Sequence, residues 1–294
     1  MQLIGFYIIL PFLYLISLLP FWLLYLLSDF FYVLLFYVVG YRKKVVLQNL
    51  KNSFPEKSER ELLLLRKKFY HYFCDLFLET FKTLTISKDE MLKHCTMRSD
   101  SIALMNQLYE EKKNAILVMG HLGNWEWGGN TFSLLCKQQL YVIYHPLANR
   151  HYNQLIIGMR TRFGTKLIEM KNTFRDMLKN KSEVNATAFI ADQTPPPENA
   201  YWTNFMHQDT PVFKGTELIA KKLQLPIVFI NVQLVQRGYY EITAEMLCER
   251  PGNLPEGKVS EMHTRKLEEE IRKNPATWLW SHRRWKHKRP VAQF

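Results

Sequence analysis

Charge is missing from the start of this chain. Between Met1 and Ser28 there is no Asp, Glu, Lys or Arg, and Asp29 is the only one before Arg42. The cationic stretch and small-residue cleavage site of a secretory signal are missing as well, so a removed leader does not fit. Cysteine is scarce. Cys74, Cys95, Cys136 and Cys248 lie far apart without metal-ligand spacing, and read as reduced thiols of a cytosol-facing protein. No G-x-S-x-G elbow occurs and no cysteine follows a predicted strand, which leaves a covalent acyl-enzyme without an evident nucleophile. Internal repeats, low-complexity tracts and nucleic-acid-binding motifs are absent too. Acidic residues are in deficit, 27 against 39 Lys and Arg, and the net +12 asks for an anionic partner: nucleic acid, a membrane surface or an acidic protein.

The first forty residues select the membrane. A helix needs roughly 20 apolar residues to cross a bilayer. Leu3 to Leu27 supplies them, with Pro11 and Pro20 as kink points. The second apolar run, Phe30 to Val39, is too short to cross alone, so one crossing, a tilted half-buried helix and a shallow hairpin all fit. Arg42-Lys43-Lys44 follows at once, and by the positive-inside rule it places the rest of the chain in the cytoplasm. Residues 1–40 are expected to be a membrane anchor and 41–294 the working domain, with a helical lead-in over 41–100, an α/β core over 101–250, and a helix and basic tail over 251–294. That domain is long enough to bury a substantial core.

Capping-box patterns at Ser58/Glu61 and Ser87/Glu90 predict two helix starts. The first helix carries apolar residues at helical spacing through Leu62, Leu65, Phe69, Phe73, Leu76 and Phe77. From about Ile102 the pattern changes. Short apolar runs at 115–120, 140–144, 186–191 and 226–232 read as buried strands, with helices over 125–137, 149–162, 172–181 and 215–224. The expected fold is α/β, with a mixed, largely parallel central sheet flanked by helices. Ligands of such sheets bind beyond the carboxyl ends of the strands.

"GHLGNWEWGGN", residues 120–130, sits at one of those ends. Its His121 and Glu126 are five residues apart, but so are His263 and Glu268 inside the charged helix "EMHTRKLEEEIRK", so spacing alone decides nothing. On a regular helix residues five apart point about 140° from each other. If "HLGN" is a turn and Asn124 caps a helix beginning near Trp125, the two side chains can converge, and Gly120 and Gly123 permit such a turn. A carboxylate-oriented imidazole is a general base for a hydroxyl. The economical reaction is direct attack of an acceptor hydroxyl on an activated acyl group. Its oxyanion needs a donor, either a backbone N–H at the helix start or a nearby cation. Arg160 and Arg162, near a helix end, are candidates for oxyanion or phosphate contact, Arg160 being favoured. Asp192, at the end of the 186–191 strand, is placed to orient an arginine or a substrate hydroxyl. Pro195, Pro196 and Pro197 would then stiffen a loop bordering a lipid entrance.

At these residues the sequence resembles the lipid A late acyltransferases, the lauroyl and myristoyl acyltransferases. "VVLQNLKNSFPE" (45–56) is similar to the family's segment after its anchor, and "GHLGNWEWGG" to its H-x4-[DE] block, Asn124 included. "YHPLAN" (144–149) resembles its Tyr-Arg-Pro motif, with His145 where arginine is common. "GMRTRFG" (158–164), "ADQ" (191–193) and "TPVFKGTE" (210–217) resemble later blocks, although Val212 follows Pro211 in reversed order. "LWSHRRWKHKRP" (279–290) is similar to the closing signature, and Arg283 and Arg284 in it, like Asn124, are expected to contact substrate or oxyanion. The resemblance implies a glycerolipid-acyltransferase-like fold and an acyl tunnel. It implies an inner-membrane enzyme moving a fatty acyl chain, usually from acyl carrier protein, onto a lipid A precursor, with His121 and Glu126 as a dyad. Acyl-CoA as donor stays open. So does an aminolipid or phosphatidylinositol mannoside as acceptor, or an inactive lipid-binding relative. No cofactor, metal or nucleic acid is expected. The basic tail, interleaved with Trp280 and Trp285, is expected to meet lipid headgroups or the acidic carrier.

Overall fold

The computed structural model describes residues 2–289. Two apolar helices come first: α1 (Gln2–Leu18) and α2 (Phe21–Val33), the latter running on as a π-helix over Leu34–Val39. The break falls at Leu19–Pro20, where Pro20 has an extended ψ of 152° and starts the second helix. The expected crossing stretch Leu3 to Leu27 is therefore divided. Phe21–Val39 is the segment long and apolar enough to cross a membrane, at 19 residues, about 28 Å of helix. Leu24, Ser28 and Tyr32 of α2 are buried, while Trp22, Leu26 and Phe30 lie exposed alongside Ile8, Phe12, Leu15 and Leu18 of α1.

Helix α3 (Lys43–Ser53) leads to α4 (Glu59–Lys82), the long helix against which α1 and α2 pack. Both predicted capping boxes form, at Ser58/Glu61 for α4 and at Ser87/Glu90 for α5 (Lys88–His94). The remainder is α/β. In chain order come β1 (Cys95–Met97), α6 (Ser99–Glu110), β2 (Ala115–Met119), α7 (Trp125–Leu135), β3 (Gln139–Tyr144), α8 (Arg150–Thr161) and β4 (Lys166–Glu169). There follow α9 (Thr173–Lys179), β5 (Asn185–Ile190), the hairpin β6 (Ala200–Phe205) and β7 (Gln208–Phe213), α10 (Gly215–Leu223), β8 (Ile227–Gln236), β9 (Tyr239–Cys248) and α11 (Lys258–Lys273).

Seven strands form one sheet in the order β1-β9-β8-β2-β5-β3-β4. Every pairing is parallel except the β8–β9 hairpin, so the sheet is mixed and largely parallel, as expected. Strand β2 lies near its middle and is buried at all five positions, the continuous apolar run of a strand covered on both faces. One face packs on α4 and α11 through Phe69 and Ile271, and on Trp278 beyond α11, the other on α5, α6 and α7 through Met91, Met105 and Trp127.

Candidate active site

The sheet register builds the site. Parallel strands β2 and β5 pair Met119 with Ile190, and the chain leaves both strands at their carboxyl ends. His121 lies two residues past Met119, and Asp192 two past Ile190. The imidazole and the carboxylate are therefore brought level by backbone pairing. His121 Nδ1 lies 2.6 Å from Asp192 Oδ1, and the His121 backbone N–H donates to Asp192 Oδ2 at 3.0 Å.

Asp192 is buried and fully engaged. Its Oδ2 also accepts from Trp278 Nε1 at 2.8 Å and from the Arg284 guanidinium at 3.1 Å, while Arg284 Nε donates to its backbone carbonyl. Burial pushes this carboxyl up, but the charges on His121 and Arg284 and the hydrogen bonds from His121 outweigh it and hold Asp192 well below the usual carboxylate range. An ionised acceptor at Oδ1 fixes the proton of a neutral His121 on Nδ1 and leaves Nε2 as the basic atom. Nε2 faces an open cleft, with the exposed Gln193 amide 3.3 Å away.

Glu126 is placed differently from expectation. The turn and cap form as read: Asn124 Oδ1 accepts from Trp127 N at 3.0 Å and α7 begins at Trp125. The residue of that first turn which meets His121 is Trp125, whose ring packs edge-on at 4.9 Å. Glu126 points instead toward α8 and grips Arg160, with Arg160 Nε 2.9 Å from Oε2 and NH2 2.5 Å from Oε1. The expected His121–Glu126 contact is thus replaced by two carboxylate pairs, His121–Asp192 and Arg160–Glu126. Desolvation alone would lower Arg160, but the Glu126 charge reverses this and its affinity for the proton rises.

Two cavities meet here. A narrow one of about 70 Å³ runs between α7 and the sheet and is lined mainly by apolar side chains, among them Leu117, Phe132, Val142 and Ile230. A wider one of about 490 Å³ opens past His121 toward Leu147, Met170, Phe189 and Ile219. Trp125, Ile143, Arg160 and Ile190 border both. The other predicted residues divide. Arg162 lines neither cavity and donates to the Thr83 carbonyl at 2.6 Å. His145 borders the wide cavity and Arg283 is exposed.

The basic tail needs the largest revision. Arg284 and Trp280 are buried rather than turned to headgroups, and the Arg284 guanidinium stacks 3.8 Å above Trp278. Thr277 to Leu279 runs beside the site turn: Gly123 N donates to Thr277 O, and Leu279 N to His121 O, both at 3.1 Å. Sequence reasoning missed Trp278 and the inward turn of Arg284. The tryptophan-rich spacing around the arginine pair was the only linear sign of burial.

Behind Asp192, Arg284 NH1 and His263 Nε2 are buried without a hydrogen-bond partner among the described residues. Both residues line a cavity of about 20 Å³, room for one bridging water. Burial lowers His263 to about 4, against the opposing charges of Glu217, Glu261 and Asp192, and burial with the Arg284 charge takes His282 to about 4 as well. Groups held neutral in this way contribute stability that is complete above about 6.5 and is lost as pH falls through 4. Thermal unfolding of detergent-solubilised protein is expected to show Tm falling between pH 6.5 and 4.5. In His263→Gln the fall should be smaller by about 5 °C; an equal fall in both proteins would refute the assignment.

The class defined so far is an α/β protein whose polar site, at the carboxyl ends of central strands, opens onto apolar cavities beside an apolar helical face. The family model for bacterial lipid A biosynthesis acyltransferases matches residues 1–287, and the chain belongs to that family. It is accordingly an acyltransferase of the lipid A biosynthesis type, from a family associated with membranes in bacteria. A search of curated proteins finds no match.

Proposed function

We propose that the protein transfers a fatty acyl chain from an acyl thioester to a hydroxyl of a lipid A precursor, by direct attack, at the cytoplasmic face of the inner membrane. The observation that carries this reading is a strand-end histidine whose Nδ1 is committed to a buried carboxylate, beside a clamped guanidinium, where two apolar cavities join. The acceptor hydroxyl replaces the Gln193 amide at His121 Nε2, gives up its proton there and attacks the thioester carbonyl. Negative charge gathers on the carbonyl oxygen, where Arg160, aligned by Glu126, stabilises it. Collapse breaks the C–S bond, and the departing thiolate takes the proton back from the imidazolium. Asp192 thus has the orienting role first given to Glu126, and Glu126 acts through Arg160. Asn124 contributes by capping α7 rather than by touching substrate.

The wider cavity is the room we assign to alkyl chains, and the narrow one, at about 70 Å³, takes only a short apolar end. Acyl carrier protein is the donor we favour, because the net +12 of the chain attracts an acidic carrier. Arg42, Lys43 and Lys44, just past the apolar helix, favour the cytoplasmic side. No cofactor enters the scheme.

The test is acyl transfer in detergent micelles, from a series of saturated acyl thioesters of carrier protein and of coenzyme A to a radiolabelled tetra-acylated lipid A precursor. Aminolipid and phosphatidylinositol mannoside acceptors run in parallel. Transfer to the lipid A precursor, with Arg160→Met lowering kcat roughly 10²-fold, supports the reading. Transfer only to another acceptor overturns the acceptor, and a folded protein inert on every pair overturns the reaction.

A further inference from the structure

One buried acid takes no part in that reaction. Glu79, on α4, is completely enclosed, yet its carboxylate touches three separate elements. Oε1 accepts from Tyr25 OH of α2 at 2.8 Å, and Oε2 from Asn124 Nδ2 at 2.8 Å and Tyr240 OH of β9 at 2.7 Å. Its backbone carbonyl accepts from Trp127 Nε1 at 3.0 Å. Two turns earlier on the same helix, Tyr72 OH donates to the Gly123 carbonyl at 2.7 Å. Helix α4 therefore holds Gly123 and Asn124, the last two residues before the start of α7. A second tie lies alongside: Asp75 chelates Arg237, which in turn holds Asp29 of α2 and lies over the Tyr25 ring.

Burying a carboxylate is costly, and an apolar side chain would fill the same space without that penalty. What the carboxylate supplies is direction. Its three side-chain partners are all donors, so an ionised Glu79 satisfies each of them, and Asn124 is turned so that its remaining oxygen caps α7. Burial, opposed by those hydrogen bonds, pushes Glu79 up to about 7, a further sign of how much this position costs the fold.

We propose that Glu79 is a positioning residue that registers the apolar helix α2 against the turn carrying His121 and the helix carrying Glu126, so that seating of α2 sets the geometry of acyl transfer. This role rests on the acyl-transfer reading of the site. Asn124 is the middle link, since one side chain faces Glu79 and caps α7 at once.

The experiment is an exchange of hydrogen-bond polarity, in the full-length protein in detergent, with the carrier-protein thioester and lipid A precursor as probes. Asn124→Asp places a second carboxylate against Glu79, whereas Glu79→Gln can keep its oxygen toward Asn124 and Tyr240 and turn its NH2 to the Tyr25 oxygen, reversing only that bond. Asn124→Asp is expected to lower kcat at least tenfold with KM little changed, and Glu79→Gln to lower it several-fold. In the double variant Glu79→Gln/Asn124→Asp, the new amide at position 79 can donate to the new carboxylate at position 124 and to the Tyr240 oxygen, while Tyr25 still donates to the amide carbonyl. It should recover most of the lost kcat. Tyr25→Phe, which removes only the hydroxyl from α2, should lower kcat several-fold in a protein of near wild-type Tm. Asn124→Asp at wild-type rate, or a double variant no better than Asn124→Asp, would overturn the positioning role. Full activity in Tyr25→Phe would overturn the link to α2. If the wild type transfers nothing, the acyl-transfer reading itself has failed and this role goes with it. If the wild type is active and His121→Ala is not, only Glu79 is on trial.

Discussion

Asp192→Asn is expected to lower kcat by roughly 10²- to 10⁴-fold, a loss comparable to that of His121→Ala. The reason is the donor count around the carboxylate. Oδ2 takes N–H groups from His121, Trp278 and Arg284, and Oδ1 takes the His121 ring. An asparagine has one acceptor oxygen. Turned one way, its NH2 faces the three donors at Oδ2. Turned the other, it faces His121 Nδ1, which must then accept, moving the ring proton to Nε2 and abolishing the base. Both outcomes cost chemistry, and Tm measured beside kcat separates this from unfolding. His121→Ala and Asp192→Asn should be strongly non-additive, because they disable one unit. Glu126→Gln should be non-additive with Arg160→Met instead. If Asp192→Asn retained activity within threefold of wild type, Glu126 would again be the candidate partner of His121.

Gly123→Ala is the second large effect, and it falls on stability. Gly123 has φ +63°, and a Cβ built there would lie 1.7 Å from the Val232 carbonyl oxygen and 2.7 Å from its carbon. That carbonyl belongs to β8, where Val232 pairs with Ile242 of β9, just past the stretch Ile227–Phe229 that pairs with β2. It cannot retreat without disturbing the middle of the sheet, so the turn must move instead. A destabilisation of about 4 kcal/mol or more is expected from combined overpacking and backbone strain, read as a fall in Tm or a failure to accumulate folded protein. Gly158→Ala serves as the comparison. No atom lies within 4 Å of its would-be Cβ, its φ is ordinary, and it sits on α8, so a change between zero and a slight gain is expected. Equal behaviour of the two variants would refute the account of the turn.

Much of this architecture was legible in the chain. The apolar runs marked β2, β3, β5 and β8 to within a few residues, because strands covered on both faces announce themselves as unbroken hydrophobic stretches. Both capping boxes marked their helices. Strand β9 was missed because "YYEITAEMLC" mixes polar and apolar residues along a strand near the sheet edge, and β1 and β4, at three and four residues, carry too little pattern. The site was half legible. His121 and Asp192 were each recognised as strand-end residues, but 71 positions separate them, and only the adjacency of β2 and β5 shows that they meet. Glu126 was assigned to the nearer partner in sequence. A helix start can send consecutive side chains to different neighbours, and here Trp125 meets the imidazole while Glu126 meets α8. Arg284 was misread for the opposite reason: a run of positive charge looks like solvated surface unless the tryptophans around it are known to form a core.

The order of translation gives the Asp192 cage a further meaning. The apolar helices are synthesised first and are free to reach a bilayer while the rest of the chain is still being made, since folding during synthesis proceeds from the amino end. Trp278 and Arg284 are added 86 and 92 residues after Asp192. Until they arrive, the carboxylate that fixes the His121 proton lacks two of its donors, and the turn at Gly123 lacks the Thr277 carbonyl beside it. On the proposed reading, the base is thus completed late, after the apolar helices have had time to reach a bilayer.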